Sequence, residues 1–403
     1  MTTEWGVTPR TSPVRLRPGG ASLRRRALRR RSLVRRLDVL LLGAVAALVV
    51  LGALLVWSAT RPRLLDAGLD PQQFLQKHLV NALLGLGLAA GAALVDYRAL
   101  RAYAPVVYVL SCLGLVAVLS PLGSTINGAH SWIVLPAGFQ VQPSEFAKVA
   151  VVVGMAVILA ERHDGEDVPR HSDVLLVLGL ASVPMLLILL QPDLGTMLVL
   201  TAIILGVLAV AAAPARWIAG LLLAGVAVAV GAVQLGVLED YQLDRFTAFA
   251  DPDADLRGAG YNVDQALTAI GSGGLLGKGL FQGTQTNGAF IPEQQTDFVF
   301  TVAGEELGLV GAGAIVLLLG VVLWRGLRIA SEASDLFGRL VAAGVVSWFG
   351  FQAFVNIGMT LGIMPVTGLP LPFVSYGGSA MFANLVAVGL LQNVHAGATG
   401  VRD

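Results

Sequence analysis

The chain has 403 residues, of which 55% are hydrophobic and 13% charged, and its mean hydropathy is +0.75. That apolar content exceeds what an ordinary soluble core can hold, so a soluble globular protein is excluded. The net charge of +1 says nothing about partners, and the single cysteine, Cys112, excludes a disulfide framework and a cysteine metal site.

Residues 1–37 form an Arg-rich tail with eleven Arg between Arg10 and Arg36. It reads either as a nucleic-acid arm or as a disordered cytoplasmic anchor touching anionic lipid; its place beside an apolar span favours the anchor, with no nucleic-acid partner. The apolar run that follows is longer than a signal-peptide core and is read as a retained span. Ten spans are expected, at Asp38–Ser58, His78–Asp96, Tyr103–Ser120, Ser144–Ala160, Val174–Leu190, Leu194–Ala212, Ile218–Leu235, Phe298–Leu323, Leu340–Gly362 and Ser379–Val394. Each is near the length needed to cross a hydrocarbon core of roughly 30 Å as a helix, and none alternates as a barrel strand would. The expected fold is an all-α integral membrane protein with about ten transmembrane helices, a polytopic domain over 38–396 and a short tail over 397–403. With a cytoplasmic amino terminus, the inner side collects the tail together with Arg98, Arg101, Arg162, Arg170, Arg216, Arg325, Arg328, Arg339 and Arg402. The outer side keeps Arg61, Arg63, Lys77, Arg245, Arg257 and Lys278. This asymmetry places both termini in the cytoplasm.

Three outer segments are long for a bundle of antiparallel helices. Pro121 to Pro143 contains SWIVLPAGF, too short to span and bounded by Gly and Pro, which reads as a re-entrant or interfacial element. Residues 236–297 form a loop rich in Gly, Asp and Gln, and Ile363 to Gly378 carries three prolines that cannot continue a helix. Irregular backbone at membrane depth needs protein or a water-filled cavity around it, so these segments are expected to meet over a lipid-accessible cavity. The two halves show no inverted repeat of the kind many transporters carry.

Ionisable residues near or within spans are functional candidates. Glu145 and Lys148 lie at i and i+3 on one helical face, as a self-neutralising pair or as a substrate contact. Asp193, in QPDLGT, reads as a helix cap. Asp297, ending IPEQQTD before an apolar run, fits a helix cap by its local sequence and a base at the lipid boundary by its position. Glu305 and Glu306 follow on the same expected helix, as buried hydrogen-bonding groups or as catalytic acids. No Walker loop or HExxH is present, and AIGSGGLLGKGLFQG follows no hydrophobic strand; no nucleotide cofactor is expected. The glycine-rich stretch reads instead as a flexible loop whose amides and Lys278 face an anion.

Seven motifs in order resemble the SEDS family (shape, elongation, division and sporulation) of bacterial membrane glycosyltransferases: NGAHSWI at Asn127, QPSEFAK at Gln142, QPDLGT at Gln191, YQLDRFTAFADP at Tyr241, AIGSGG at Ala269, IPEQQTDFVF with GEELG at Ile291 and Gly304, and NIGMTLGIMPVTGLPLPFVSYGGS at Asn356. GKG and GTQ at Gly277 and Gly283 resemble the elongation branch, RodA, more than the division branch, FtsW. Two departures are visible: Gln295 stands where a His is common, and His130 and Ser131 stand where the pocket motif often carries an Arg.

The resemblance implies polymerisation of lipid II on the outer face of the bacterial plasma membrane, with Asp297 as the general base of an inverting glycosyl transfer. It implies substrate contacts at Glu145, Lys148, Arg245, Arg257, Lys278, Ser375 and Trp132, with Glu305, Glu306 and Gln295 in support. Lys148, Arg245, Arg257 and Lys278 are the candidates for stabilising the leaving group, and a divalent cation, Mg or Mn, could share that load. The implied partners are undecaprenyl-pyrophosphate-linked glycan, a class B penicillin-binding protein acting as transpeptidase, and the elongation machinery. A lipid II flippase is the rival reading.

Overall fold

The structure is a computed structural model that describes residues 37–126, 129–134, 140–161, 168–236, 245, 249 and 258–401. The Arg-rich tail and Arg257 lie outside the described residues, as does most of the amino-terminal part of the long loop.

Ten long helices occupy the ten expected positions: α1 (Val39–Asp66), α2 (Gln73–Leu94), α3 (Tyr97–Leu119), α4 (Pro143–Ala160), α5 (His171–Leu189), α6 (Leu194–Val210), α7 (Ala215–Gln234), α11 (Gly308–Glu332), α12 (Leu336–Thr360) and α13 (Gly378–Val401). Three short ones, α8 (Ala259–Gly273), α9 (Thr284–Asn287) and α10 (Val299–Glu306), lie between α7 and α11. Eight of the long helices are long and apolar enough to cross a membrane, and α6 is a shorter apolar helix of 17 residues. The protein is a multi-pass, all-α membrane protein. Helix α4 is buried nearly throughout and packs on α3, α5 and α12, while α7 buries no residue and faces outward along its length. Helix α13 packs along α2, with α11 against α1 and α12.

Several polar groups inside this bundle are paired across helices. At one end Asp38 caps α1, its carboxylate takes a 2.7 Å hydrogen bond from Arg325 Nε, and its N–H donates to Gln392 Oε1 at 2.8 Å. Asn393 on α13 donates to the carbonyls of Ala92, Ala93 and Val95, closing the carboxyl end of α2.

Three expectations change. The span read over Phe298–Leu323 is two helices, because the chain breaks at Leu307 and Gly308, where Gly308 has φ +66°. The apolar periodicity runs on through the break and conceals it. The first irregular segment holds a small antiparallel sheet, β1 (Gly123–Ile126), β2 (Ala129–Val134) and β3 (Gln140–Val141), with Gly123 opposite Ile133 and Ser124 opposite Trp132. Ladder pairing satisfies its backbone where a single re-entrant strand could not. Part of the long loop is helical: α8 carries AIGSG, so the glycine-rich stretch begins as the end of a helix.

Close approach of backbone makes some glycines irreplaceable. A Cβ on Gly52 of α1 would stand 2.4 Å from the Val374 carbonyl oxygen, whereas one on Gly43 of the same helix would meet nothing within 4 Å. Gly52→Ala is therefore expected to lower stability by about 1–3 kcal/mol through overpacking. Gly43→Ala should be neutral or gain up to about 1 kcal/mol from helix propensity. Thermal unfolding of both variants in one detergent checks the contrast.

Candidate active site

The irregular segments meet. Tyr376 N–H donates to the Gln295 carbonyl at 2.9 Å, joining the segment before α13 to the segment before α10. Gln142 N–H donates to Ser379 Oγ at 2.9 Å, and Ser379 Oγ donates to the Gln140 carbonyl at 3.2 Å, bringing β3 to the start of α13. The Gln142 side chain donates to Asp193 Oδ2 at 3.1 Å, which adds the turn between α5 and α6. Asp193 is the cap it was expected to be, accepting from Thr196 N–H at 2.9 Å.

Asp297 sits at this junction, partly buried, ahead of α10 and outside the membrane-spanning helices. It does not cap: the cap position is Phe298, which offers no side-chain bond. Its main chain is fixed from two sides, with its N–H on the Glu293 carbonyl at 3.0 Å and its carbonyl accepting from Asn356 Nδ2 at 2.8 Å. Its carboxylate lies against Gly368, where an added Cβ would stand 3.4 Å from Oδ2. Burial pushes the carboxyl up to about 6, the Glu293 charge adds to this, and the Thr296 hydroxyl and Arg245 oppose it. A carboxyl poised there is a competent base near neutral pH.

Arg245, whose charge acts on Asp297, lines a small cleft of about 20 Å³ with Phe249, Val263, Met364, Pro365 and Val366 among others. Arg245 also donates to the Thr367 carbonyl at 3.4 Å. The cleft thus offers apolar walls and the one cation whose charge acts on Asp297 among the described residues.

The other expected site residues are placed differently. Glu145 and Lys148 pair at 2.7 Å, both buried, and Lys148 also meets Gln352 Oε1 at 3.2 Å and stacks over Trp348 at 4.7 Å. Neither side chain opens onto the cleft. Glu305 is fully buried and accepts five hydrogen bonds: from Lys278 Nζ (2.8 Å), Thr284 Oγ1 (3.2 Å), Gln285 N–H (2.9 Å), and Thr286 N–H and Oγ1 (both 2.9 Å). The anion that Lys278 faces is therefore the chain's own Glu305. Glu306 accepts from Ser58 Oγ on α1 at 2.7 Å and from Gly283 N–H at 3.4 Å. Ser375 Oγ accepts from Leu371 N–H at 2.8 Å and staples a turn. Trp132 sits in β2, half-buried. Gln295 donates its amide to Glu293 Oε2 at 3.2 Å.

Sequence reasoning missed Asn356, Gln352, Glu293 and Thr296. The signal for the first two was present: two amides one helical turn apart inside an apolar run are costly unless partnered. Asn356 Nδ2 donates to the Leu369 carbonyl at 2.7 Å as well as to Asp297, and Gln352 Nε2 donates to the Pro370 carbonyl at 2.7 Å. No group of three or more His, Cys, Asp or Glu side chains converges to hold a metal ion among the described residues.

With this geometry in view, comparison with known proteins is direct. The family model described as "Cell cycle protein", covering FtsW, RodA and SpoVE, matches residues 38–399. Stage V sporulation protein E of Bacillus subtilis is 39% identical over 360 residues, 89% of this chain and 96% of that protein. Peptidoglycan glycosyltransferase MrdB of Escherichia coli is 37% identical over 361 residues, 89% and 93% of the two. Among solved structures, a chain of a peptidoglycan synthase complex that coordinates polymerization and crosslinking matches with TM-score 0.74 at 35% identity, covering 89% of this chain and 97% of that one. Thermus thermophilus RodA matches with TM-score 0.64 at 34% identity, covering 89% and 96%. The chain belongs to the FtsW/RodA/SpoVE family.

Proposed function

We propose that this chain is a peptidoglycan glycosyltransferase that polymerises lipid II, with Asp297 as its general base. The observation that carries the assignment is a carboxylate held in place by its main chain, unused as a cap, raised to about 6 and acted on by the Arg245 charge. In the reaction the GlcNAc 4-hydroxyl of the acceptor attacks the anomeric carbon of MurNAc in the growing chain. Asp297 accepts the hydroxyl proton as the new glycosidic bond forms, and undecaprenyl pyrophosphate departs with the bonding pair. Attack opposite the leaving group inverts the anomeric centre, so one base suffices and no covalent sugar intermediate is needed.

The departing pyrophosphate needs positive charge. Arg245 is the described cation that acts on Asp297, and Lys148 and Lys278 pair with Glu145 and Glu305. A divalent cation, Mg or Mn, held mainly by the pyrophosphate oxygens would share that charge. Glu145, Lys148, Lys278, Ser375, Glu305 and Glu306 act in this scheme by holding the walls. The site faces the outer side of the bacterial plasma membrane, with both termini cytoplasmic. The GKG and GTQ motifs support a role in elongation. A class B penicillin-binding protein is the proposed partner, supported by the likeness to a chain of a peptidoglycan synthase complex.

Asp297→Asn should cut glycan-strand synthesis from purified protein and lipid II by about 10² to 10⁴ while leaving thermal unfolding unchanged. Normal polymer from that variant would remove Asp297 from the mechanism. Transfer of labelled lipid II across liposomes without polymer would instead support the flippase. A base must be deprotonated, so the initial rate should fall as pH drops through about 6 and level off above it. A rate independent of pH from about 5 to 8 would show that no such group is titrating.

A further inference from the structure

Glu293 adopts φ +52°, in the left-handed region that residues with side chains seldom occupy. A glycine would hold this turn with less strain, so whatever the glutamate adds there lies in its side chain. Its carbonyl accepts from Thr296 N–H at 3.1 Å, from Thr296 Oγ1 at 3.0 Å and from Asp297 N–H at 3.0 Å, so the turn that presents Asp297 is built on this residue. Its carboxylate is gripped within the same turn, taking Gln295 Nε2 at 3.2 Å and Thr296 Oγ1 at 3.4 Å. Gln295 is itself anchored, through its carbonyl, to Tyr376 N–H at 2.9 Å.

We propose that Glu293 is the positioning residue of the base: its backbone sets the turn that carries Asp297, and its carboxylate, held by Gln295 and Thr296, keeps a second negative charge beside the reacting carboxylate. The inference rests on Asp297 being the base. The charged groups acting on Asp297 among the described residues are Glu293, from its own turn, and Arg245, from the long loop. From α12 the neighbour is the neutral amide of Asn356, and from the segment before α13 it is Gly368. A like charge makes the ionised form of Asp297 costlier and the carboxylate a stronger proton acceptor, while Arg245 works against it. Gln295 keeps the Glu293 carboxylate in place with a group that carries no charge at any pH.

The test is the pH dependence of lipid II polymerisation by the full chain in detergent, with initial rates for wild type, Glu293→Gln, Glu293→Asp, Gln295→Lys and Asp297→Asn. Glu293→Gln keeps the shape and removes the charge. Its acid limb should move down by about one pH unit, and its plateau kcat should fall about threefold at unchanged KM. Glu293→Asp retains the charge and should return the limb close to wild type. Gln295→Lys sets a cation on the Glu293 carboxylate and should lower the limb as Glu293→Gln does, a readout that survives if Glu293→Gln fails to fold. An acid limb unmoved in either neutralising variant overturns the proposal. Loss of polymer in Asp297→Asn alongside an unmoved limb overturns the role of Glu293 alone, whereas normal polymer in Asp297→Asn removes the base on which the role depends.

Discussion

Two amides on one face of α12 hold up the part of this protein where the chain stops being helical. Gln352 and Asn356, one turn apart and both buried, supply hydrogen bonds to the Pro370, Leu369 and Asp297 carbonyls. The segment from Ile363 to Gly378, with its three prolines, cannot close those carbonyls by its own helix or sheet. An unpaired buried carbonyl costs about 1–3 kcal/mol. The loop and the residue before α10 can therefore be irregular only where α12 offers donors. Gln352 also receives Trp348 Nε1 at 2.7 Å and Lys148 Nζ, which ties the same hub to α4 and gives the Glu145–Lys148 pair its place.

The same accounting explains the break between α10 and α11. Ending a helix at Leu307 leaves carbonyls and N–H groups unpaired. The backbone of the glycine-rich stretch supplies the complement: Lys278 and Gly279 donate to the Glu305 and Glu306 carbonyls, while Leu309 and Val310 donate to those of Gly274 and Leu275. Gly277 and Gly308 permit the approach, since a Cβ on either would fall within 2.4 Å of the other segment's backbone. The adjacent acids then divide the work. Glu305 gathers the loop over α9, and Glu306 reaches α1 through Ser58. Carboxylates that would be a burden in an apolar helix serve as anchors because the chain was broken to bring donors to them.

Much of this was legible in the sequence, and the rest had identifiable reasons for staying hidden. The long helices were readable because membrane crossing fixes the length of an apolar run, and Glu145–Lys148 because i and i+3 share a face. The split of the Phe298–Leu323 run was hidden because GEELGLVGAG keeps its apolar content across Gly308, and a positive φ at one glycine leaves no compositional mark. The anion faced by Lys278 turned out to be internal, since loop spacing shows that a cation and free amides need a partner but not which one. Asn356 and Gln352 could have been singled out by the cost of amides in an apolar span. Glu293 could not, because its importance lies in a backbone angle and in contacts within a turn that no periodicity describes.

Asp193 and Asp297 show how environment separates two similar local sequences into two roles. Each aspartate precedes an apolar helix and each reads as a cap. Asp193 is one: its oxygens take Thr196 N–H and Oγ1, the Gln142 amide and, at 3.5 Å, Ser144 Oγ, so its carboxylate is spent on holding the turn. At Asp297 the cap position has moved on by one residue to Phe298, which has no side-chain oxygen, so α10 forgoes the roughly 0.5–2 kcal/mol that a capping carboxylate contributes. In return the aspartate is fixed through its main chain by Glu293 and Asn356, and among the described residues no backbone N–H donates to its carboxylate. Fixing a base by its backbone achieves position without consuming basicity, which is the combination that general-base catalysis at a lipid boundary requires.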